Sequence, residues 1–284
     1  MKQYNTALTI AGSDPSGGAG LQADLKTFSA LGVYGSSAVV AVVDENTVGV
    51  YGVHPVPVSF VEGQIRSVLS DIGADAVKIG MLHSSELIRG VLRTLQEFPD
   101  VRRIVLDPVM VATSGDPLLQ PEAVDTLRSE LLPYADVITP NLPEASMLLG
   151  ETVDHQDQLE DAARALSRLT DSRVSVMLKA GHLEADRLVD IFYNAQSDSF
   201  LRLASPKLRT VNTHGTGCTL SSAIAACLAK DPAAASGSRS ERASALDRAA
   251  TAAKDYIAAA IAAGAEYSIG HGHGPVHHFH SLWR

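Results

Sequence analysis

Aromatic residues make up only 5% of this 284-residue chain. Its core must therefore be built from Ala, Val, Leu and Ile rather than from stacked rings. Cysteine is scarcer still. Cys218 and Cys227 lie nine residues apart on one predicted helix, roughly 13 Å apart at about 1.5 Å rise per residue, and beyond disulfide reach. A reduced, cytoplasmic protein is the expectation. Basic charge is also short: 23 Lys and Arg face 32 Asp and Glu, a formal net charge of -9. That balance argues against a nucleic-acid footprint and against an anionic membrane surface. No uncharged apolar run is long enough to span a bilayer, and the run after Met1-Lys2-Gln3-Tyr4-Asn5 is too short for a signal peptide. What remains, 45% hydrophobic and 19% charged residues, describes a soluble globular protein, long enough for one large domain or two ordinary ones.

The most informative stretch is Asn212-Thr213-His214-Gly215-Thr216-Gly217-Cys218-Thr219, followed by a small, apolar run from Leu220 to Ala229. Glycines let the backbone enter a helix through conformations closed to other residues. The amides of Gly215, Thr216, Gly217 and Cys218 would then be free donors at a positive helix end, an anion site. The same field favours a thiolate at Cys218. Against this stands the plain reading of a glycine loop before a core helix, with Cys218 a small buried hydrophobe. The stretch alone leaves both open.

The chain alternates strands and helices. Strand Ala7–Ala11 runs into Gly12-Ser13-Asp14-Pro15-Ser16-Gly17-Gly18-Ala19-Gly20 and then a helix with Leu21, Leu25, Phe28 and Leu31 on one side. Strand, glycine turn and helix is the layout in which α/β proteins bind ligands at the strand's carboxyl end. No Gly-Lys-Ser/Thr closes the turn and the dinucleotide spacing is absent, so it reads as a close-approach loop for a small substrate. Further strands are expected at 37–43, 76–81, 103–110, 137–140, 174–179 and 188–193. Helices are expected at 59–71, with Phe60, Ile65, Val68 and Leu69 inward, and at 84–98, 121–132, 154–170 and 241–263. Such alternation implies a mainly parallel sheet covered on both faces. Residues 230–244 read as a flexible loop too short to join domains, so a single domain over 1–284 is expected.

Several strand ends carry polar groups that a parallel sheet would gather: Asp107, then Asn141 and Glu144, then Lys179, beside the anion turn. Oxygen ligands suit magnesium, and a lysine with a helix end is recurring equipment for phosphoryl transfer. Singly, each has an ordinary explanation. Asp107 would cap a turn, Glu144 would be a first-turn acid, and Lys179 and Asp24 would be solvated. Together they favour a kinase.

The motifs Leu8–Lys26, Lys78-Ile79-Gly80-Met81-Leu82, Asp107-Pro108-Val109-Met110, Thr139-Pro140-Asn141-Leu142-Pro143-Glu144, His214–Ser221 and Gly274–His280 resemble those of bacterial hydroxymethylpyrimidine/phosphomethylpyrimidine kinases of the ribokinase superfamily. The resemblance implies a ribokinase-like three-layer α/β sandwich and ATP-dependent phosphorylation of a hydroxymethylpyrimidine and its monophosphate in thiamine biosynthesis. It makes Cys218 the catalytic base and Gly215, Thr216 and Gly217 the anion hole. Asp107, Asn141 and Glu144 fall around Mg2+, and Lys179, Thr139 and Asn141 fall at ATP. Gly12, Ala19, Asp24, Glu45 and Met81 fall at the pyrimidine. A homodimer acting on small molecules, without nucleic-acid or membrane partners, is implied as well. Pyridoxal kinases on the same scaffold are the alternative, followed by a non-catalytic pyrimidine binder.

Three departures stand out. Asp44-Glu45-Asn46-Thr47 replaces the usual Ala-Gln-Asn-Thr, and an ionised Glu45 accepts hydrogen bonds where glutamine both accepts and donates. Lys179-Ala180-Gly181-His182 replaces Lys-Gly-Gly-His, and Thr113 stands where lysine is common. The closing histidines, His271, His273, His277, His278 and His280, read as packing against the body rather than as a metal site.

Overall fold

The computed structural model describes residues 3–101, 103–110, 119–181, 183 and 186–283. Thr113 and His182 lie outside the described residues. An eight-stranded sheet forms the middle layer. Its strands are β1 (Thr6–Ala11), β2 (Tyr34–Val39), β5 (Ala76–Ile79), β6 (Ile104–Leu106), β7 (Val137–Ile138), β8 (Ser175–Leu178), β9 (Arg187–Asn194) and β10 (Ser199–Pro206). Their order is β10-β9-β8-β7-β6-β5-β1-β2. From β2 across to β8 every pairing is parallel; β9 and β10 add an antiparallel edge. β3 (Ala41–Glu45) and β4 (Val50–Pro55) leave the main sheet as a separate antiparallel hairpin.

Strand periodicity explains the layers. Leu8, Ile10, Val77, Ile79, Leu106, Val176 and Leu178 face one apolar cluster, whereas Ala7, Ala76, Val105, Met177 and Phe192 face another. Because successive strand side chains point to opposite faces, each strand feeds both cores and reads as a continuous apolar run. α2 (Val58–Asp71), α3 (Ser85–Gln96), α4 (Pro121–Thr126), α5 (Leu142–Leu149) and α6 (Leu159–Arg168) cover the first face. α1 (Gly20–Ala30), α7 (Thr216–Lys230) and α9 (Arg239–Gly264) cover the second.

Several elements differ from expectation. The run 37–43 belongs to two strands, because the chain quits β2 after Val39 and re-enters as β3. Phe60 is 65% exposed, and Val61, not Phe60, joins Ile65 and Leu69 on the buried side of α2. The expected helix 121–132 tightens and widens into irregular turns after Thr126, and 154–170 is helical only in part. The expected flexible loop 230–244 is largely helical. A short α8 spans Ala233–Ser236, and α9 begins at Arg239 behind a capping box. There the Ser238 amide donates to Glu241 at 2.7 Å, a Ser-x-x-Glu signal present in the sequence. No helix among the described residues is long and apolar enough to cross a membrane.

Candidate active site

The N-terminus of α7 lies over the tips of β6 and β8. Gly215, its N-cap, has φ 77°, and any side chain there would overlap the Gly18 carbonyl. Glycine is therefore required twice over, by backbone conformation and by space. No side chain caps this helix, so the first-turn amides of Gly217 and Cys218 remain donors toward the cavity in front of them. A Cβ on Gly217 would stand 3.2 Å from Lys179 Nζ and 3.5 Å from the Asp107 carboxylate. Close approach of these groups thus depends on the missing side chain.

Parallel pairing brings the strand-end groups together. Lys179 Nζ donates to Asp107 Oδ1 at 3.1 Å and lies 3.9 Å from Glu144 Oε2. Ser221 of α7 also donates to Asp107, at 3.3 Å. Burial works against the Asp107 charge, but Lys179 and Lys78 outweigh it and hold the carboxyl below its ordinary range. Burial likewise opposes the Lys179 ammonium, and Asp107 and Glu144 more than offset it. At Glu144 burial prevails and pushes the carboxyl up, with Asp107 acting the same way. Asn141 and Glu144 also have a local task. They form the capping box of α5, Asn141 N donating to Glu144 Oε2 and Glu144 N to Asn141 Oδ1, both at 2.8 Å.

Two sequence expectations need correcting. Thr139 is fully buried and off the cavity surface. Its hydroxyl donates to Asp107 Oδ1 at 2.8 Å and orients that carboxylate from behind. Asp24 does not reach the cavity either. Its carboxylate takes both contacts from Lys78 Nζ at 2.9 Å, with the hydroxyls of Thr9 and Ser222 donating at 2.6 Å each. Lys78 and Asp24 have no exposed side-chain surface. A first-turn carboxylate that looked solvated is thus the counter-ion of a buried lysine beneath Cys218.

Cys218 itself differs from the thiolate that the helix end suggested. Burial raises the thiol to about 11, Asp24 and Asp107 push the same way, and Lys78 and the Gly20 amide oppose them. Desolvation has won over the helix field. The resting side chain is a neutral thiol.

The sequence reading also missed His214 as a site residue. Its Nε2 lies 2.8 Å from Asp14 Oδ2 and 3.4 Å from Glu45 Oε1. Asp14 is fixed in turn by amides of the glycine loop: Ser16 at 2.7 Å, Gly18 at 3.0 Å and Ala19 at 2.6 Å. Burial disfavours the imidazolium, yet the two carboxylates raise His214 to about 9, and His214 and the loop amides hold Asp14 well below the usual carboxylate range. An Asp two residues before a Ser-Gly-Gly turn was the available signal, since such side chains bond their own backbone just downstream.

Apart from Asp24 and Thr139, the expected site residues line one cavity of about 830 Å³, as does His214. Gly12, Ala19, Glu45 and Met81 wall one end. Cys218 and the Gly215-Thr216-Gly217 turn follow, then Asp107, Asn141, Glu144 and Lys179. The other end, under β9, β10 and α9, is lined by the apolar Leu188, Pro206, Leu208, Ile257 and Ile261, with Lys207 and the Asp190–Lys254 ion pair beside them. The closing segment packs against this floor. His278 Nε2 meets Thr219 Oγ1 at 3.0 Å and His277 edges onto Tyr267 and Trp283, whereas His271 and His273, also expected to pack, are exposed.

A family model described as phosphomethylpyrimidine kinase matches residues 14–277. The chain belongs to this family. It is 47% identical to a hydroxymethylpyrimidine/phosphomethylpyrimidine kinase of Rhizobium meliloti, covering 98% of both chains. It is 45% identical to the Escherichia coli enzyme of that name, over the full length of both. Among solved structures, Staphylococcus aureus pyridoxal kinase in complex with AMP-PCP superposes with a TM-score of 0.85 at 33% identity, over 99% of this chain and 96% of that one. The chain is thus a kinase on a ribokinase-like fold, with an ATP site.

Proposed function

We propose that the protein transfers the γ-phosphoryl group of ATP to the hydroxymethyl oxygen of 4-amino-5-hydroxymethyl-2-methylpyrimidine, and then to the resulting monophosphate, in thiamine biosynthesis in the cytoplasm. The observation that carries this reading is the position of Cys218 and the open α7 amides between the two ends of one cavity. ATP lies with its base at the apolar end and its phosphates on Lys179 and the glycine turn. The pyrimidine lies against Gly12, Ala19, Glu45 and Met81, its alcohol facing Cys218. In the transfer the alcohol oxygen attacks the γ-phosphorus, the bond to the β-phosphate bridging oxygen breaks, and ADP leaves. Charge on the equatorial oxygens is received by the Gly217 and Cys218 amides and by Lys179, whose ion pair with Asp107 fixes its direction. Cys218 first gives up its thiol proton to solvent, and the thiolate then receives the alcohol proton. In the second transfer the nucleophile is a phosphate oxygen that is already ionised and needs no base.

The donor set suits a hydrated divalent cation. Glu144 accepts from the Asn141 and Met110 amides, which leaves part of its acceptor capacity free, and Asp107 reaches the same cavity wall. Asp107, Asn141 and Glu144 would hold Mg2+ through water, and the ion would neutralise phosphate charge.

A pyridoxal kinase is the second reading, favoured by the likeness to the Staphylococcus fold. Measuring ADP formation with the pyrimidine alcohol, its monophosphate and pyridoxal offered separately decides between them. A higher kcat/KM for pyridoxal than for the pyrimidine would overturn the first reading. The protein is also proposed to be a homodimer, supported by exposed Val42, Tyr51, Val53 and Phe60 on the hairpin and α2. Light scattering on a sizing column tests that.

A further inference from the structure

The pyrimidine end of the cavity carries a charge arrangement that the proposed reaction does not use. Alternation along β3 turns Ala41, Val43 and Glu45 inward and Val42 and Asp44 outward. An irregularity in register between Asp44 and Glu45 ends the strand there, the kind of local distortion that re-aims a side chain beside a site. β3 is tied to the glycine loop, Ser13 N donating to Ala41 O at 2.9 Å and Val43 N to Ser13 Oγ at 3.0 Å. Glu45 therefore reaches the cavity on a fixed strand, with only 13% of its side chain exposed.

His214 decides how much of Glu45 is free. The single Nε2 proton is directed to Asp14, at 2.8 Å, while Glu45 stands off at 3.4 Å. Glu45 is thus held by charge, and its lone pairs remain available to a ligand. Turning away would cost it the His214 cation and expose that cation to the cavity. The other titratable groups on adjoining elements leave Glu45 alone. Asp44 faces outward, and His54 of β4 is exposed. Lys26 of α1 is bound to the Gly17 carbonyl. His271 and His273 are both exposed and meet the hairpin at Thr47 through their backbone amides.

A carboxylate in this state accepts and never donates. The amidine edge of a neutral aminopyrimidine presents one donor, the amine, and one acceptor, the neighbouring ring nitrogen. Paired with Glu45, the second contact sets acceptor against acceptor. A proton on the ring nitrogen turns the edge into two parallel donors, which matches two carboxylate oxygens as a guanidinium does.

We propose that this pocket binds the aminopyrimidine in its ring-protonated form, as an amidinium received by both oxygens of Glu45, with His214 and Asp14 holding that carboxylate in place. This deepens, and rests on, the pyrimidine kinase reading. The proton comes from solvent on binding and returns on release, so the phosphoryl transfer is unaltered in its balance.

The test is binding of the pyrimidine alcohol, without ATP, to wild type and Glu45→Gln. Calorimetry at pH 8 in buffers of different ionisation enthalpy is expected to show uptake of close to one proton per ligand by the wild type and none by Glu45→Gln. Above the ring's own pKa, wild-type affinity falls roughly tenfold per pH unit while the variant stays flat. Ring-15N-labelled alcohol bound to the wild type is expected to show the upfield shift of a protonated pyrimidine nitrogen. That measurement separates a protonated ring from a protonated Glu45 and needs no variant. A bound ligand with neutral-ring shifts, or equal proton uptake by both proteins, overturns this inference and leaves the substrate assignment standing. A wild type that binds pyridoxal but not the pyrimidine alcohol overturns both.

Discussion

Replacing Asp24 by Asn removes the only carboxylate among the described residues in contact with Lys78, whose side chain is fully buried. The amide keeps partners for the Thr9 and Ser222 hydroxyls, so the change isolates the charge. Losing one member of a buried pair costs about 3–5 kcal/mol. A ceiling follows from Lys78 itself, which can shed its proton instead of staying buried and unpaired. From an ordinary pKa of about 10.4, neutralising it at pH 7 costs roughly 4.6 kcal/mol, at about 1.36 kcal/mol per pH unit. With an unfolding entropy of about 2.1 cal/mol/K per residue, a loss of 3–5 kcal/mol lowers Tm by roughly 5–8 °C in a 284-residue chain. The sign of the pH dependence is the sharper test. In the wild type burial opposes the Lys78 charge, Asp24 outweighs it, and the folded-state pKa is raised. That stabilisation is fully present below about pH 10.4 and is lost only as pH climbs toward the folded value. In Asp24→Asn the folded state holds a neutral lysine and the unfolded state a charged one, so stability rises with pH across 7–9. Urea melts at pH 7, 8 and 9 should show the deficit shrinking by about 1.4 kcal/mol per unit, and Asp24→Asn/Lys78→Met should recover at least half of it. A deficit below about 1 kcal/mol, or one independent of pH, would refute the buried-pair account.

Other expectations concern the reaction and the loop that frames it. Cys218→Ala is expected to slow phosphorylation of the alcohol about 10²–10⁴-fold and that of the monophosphate far less; equal losses, read from kcat/KM on each substrate, would remove the proton-acceptor role. Glu144→Gln and Asn141→Ala are expected to raise the Mg2+ concentration needed for half-maximal rate, and full wild-type activity in excess chelator would dismiss the metal assignment. His214→Gln is expected to lose stability that the wild type gains from the Asp14 pair. Because His214 is raised to about 9 and Asp14 is lowered, the wild-type advantage should be complete from about pH 4 to 6.5, fade as pH rises to 9, and fade again in acid as Asp14 protonates. A melting-temperature difference unchanged between pH 6 and 9.5 would contradict this.

How far the sequence carried depended on the range of each interaction. The alternation of apolar strands and helices is a local pattern, and it placed the parallel sheet and most elements. The strand-end polar residues and the glycine turn were readable for the same reason. Asp24 was misread because its partner Lys78 is 54 residues away and Ser222 is 198 away; no local pattern separates a solvated first-turn Asp from a buried one. Thr139 failed likewise, its hydroxyl belonging to Asp107 across the β6–β7 pair. The break between β2 and β3 follows from where the hairpin packs, and nothing in Ser37–Val43 marks it. Glu45 was noticed as an odd residue, but its meaning came only with His214, which the chain brings from the turn before α7.

The neutral Cys218 thiol changes what a base at this position can mean. A helix N-terminus alone would make the thiol acidic and therefore a weak proton acceptor once ionised. Burial does the opposite: at a pKa of about 11 only about one molecule in 10⁴ is ionised at pH 7, yet that thiolate is a strong base. The loose transition state of phosphoryl transfer demands little of the nucleophile until late, when the alcohol oxygen has gained the phosphorus and its proton has become acidic. Strength is then needed at one moment, and a proton must leave Cys218 beforehand. Lys78 lies beside the thiol with a charge already balanced by Asp24, so it steadies the thiolate without drawing the anion of ATP away from Lys179 and the glycine turn. Two ion pairs divide the labour on this floor. In the proposed complex, the contact with Asp107 would aim the Lys179 ammonium at the phosphates, and Asp24 would keep the Lys78 ammonium below the nucleophile. Phosphorylation of the alcohol consequently carries a rising pH dependence through Cys218, and phosphorylation of the monophosphate, whose nucleophile arrives ionised, does not.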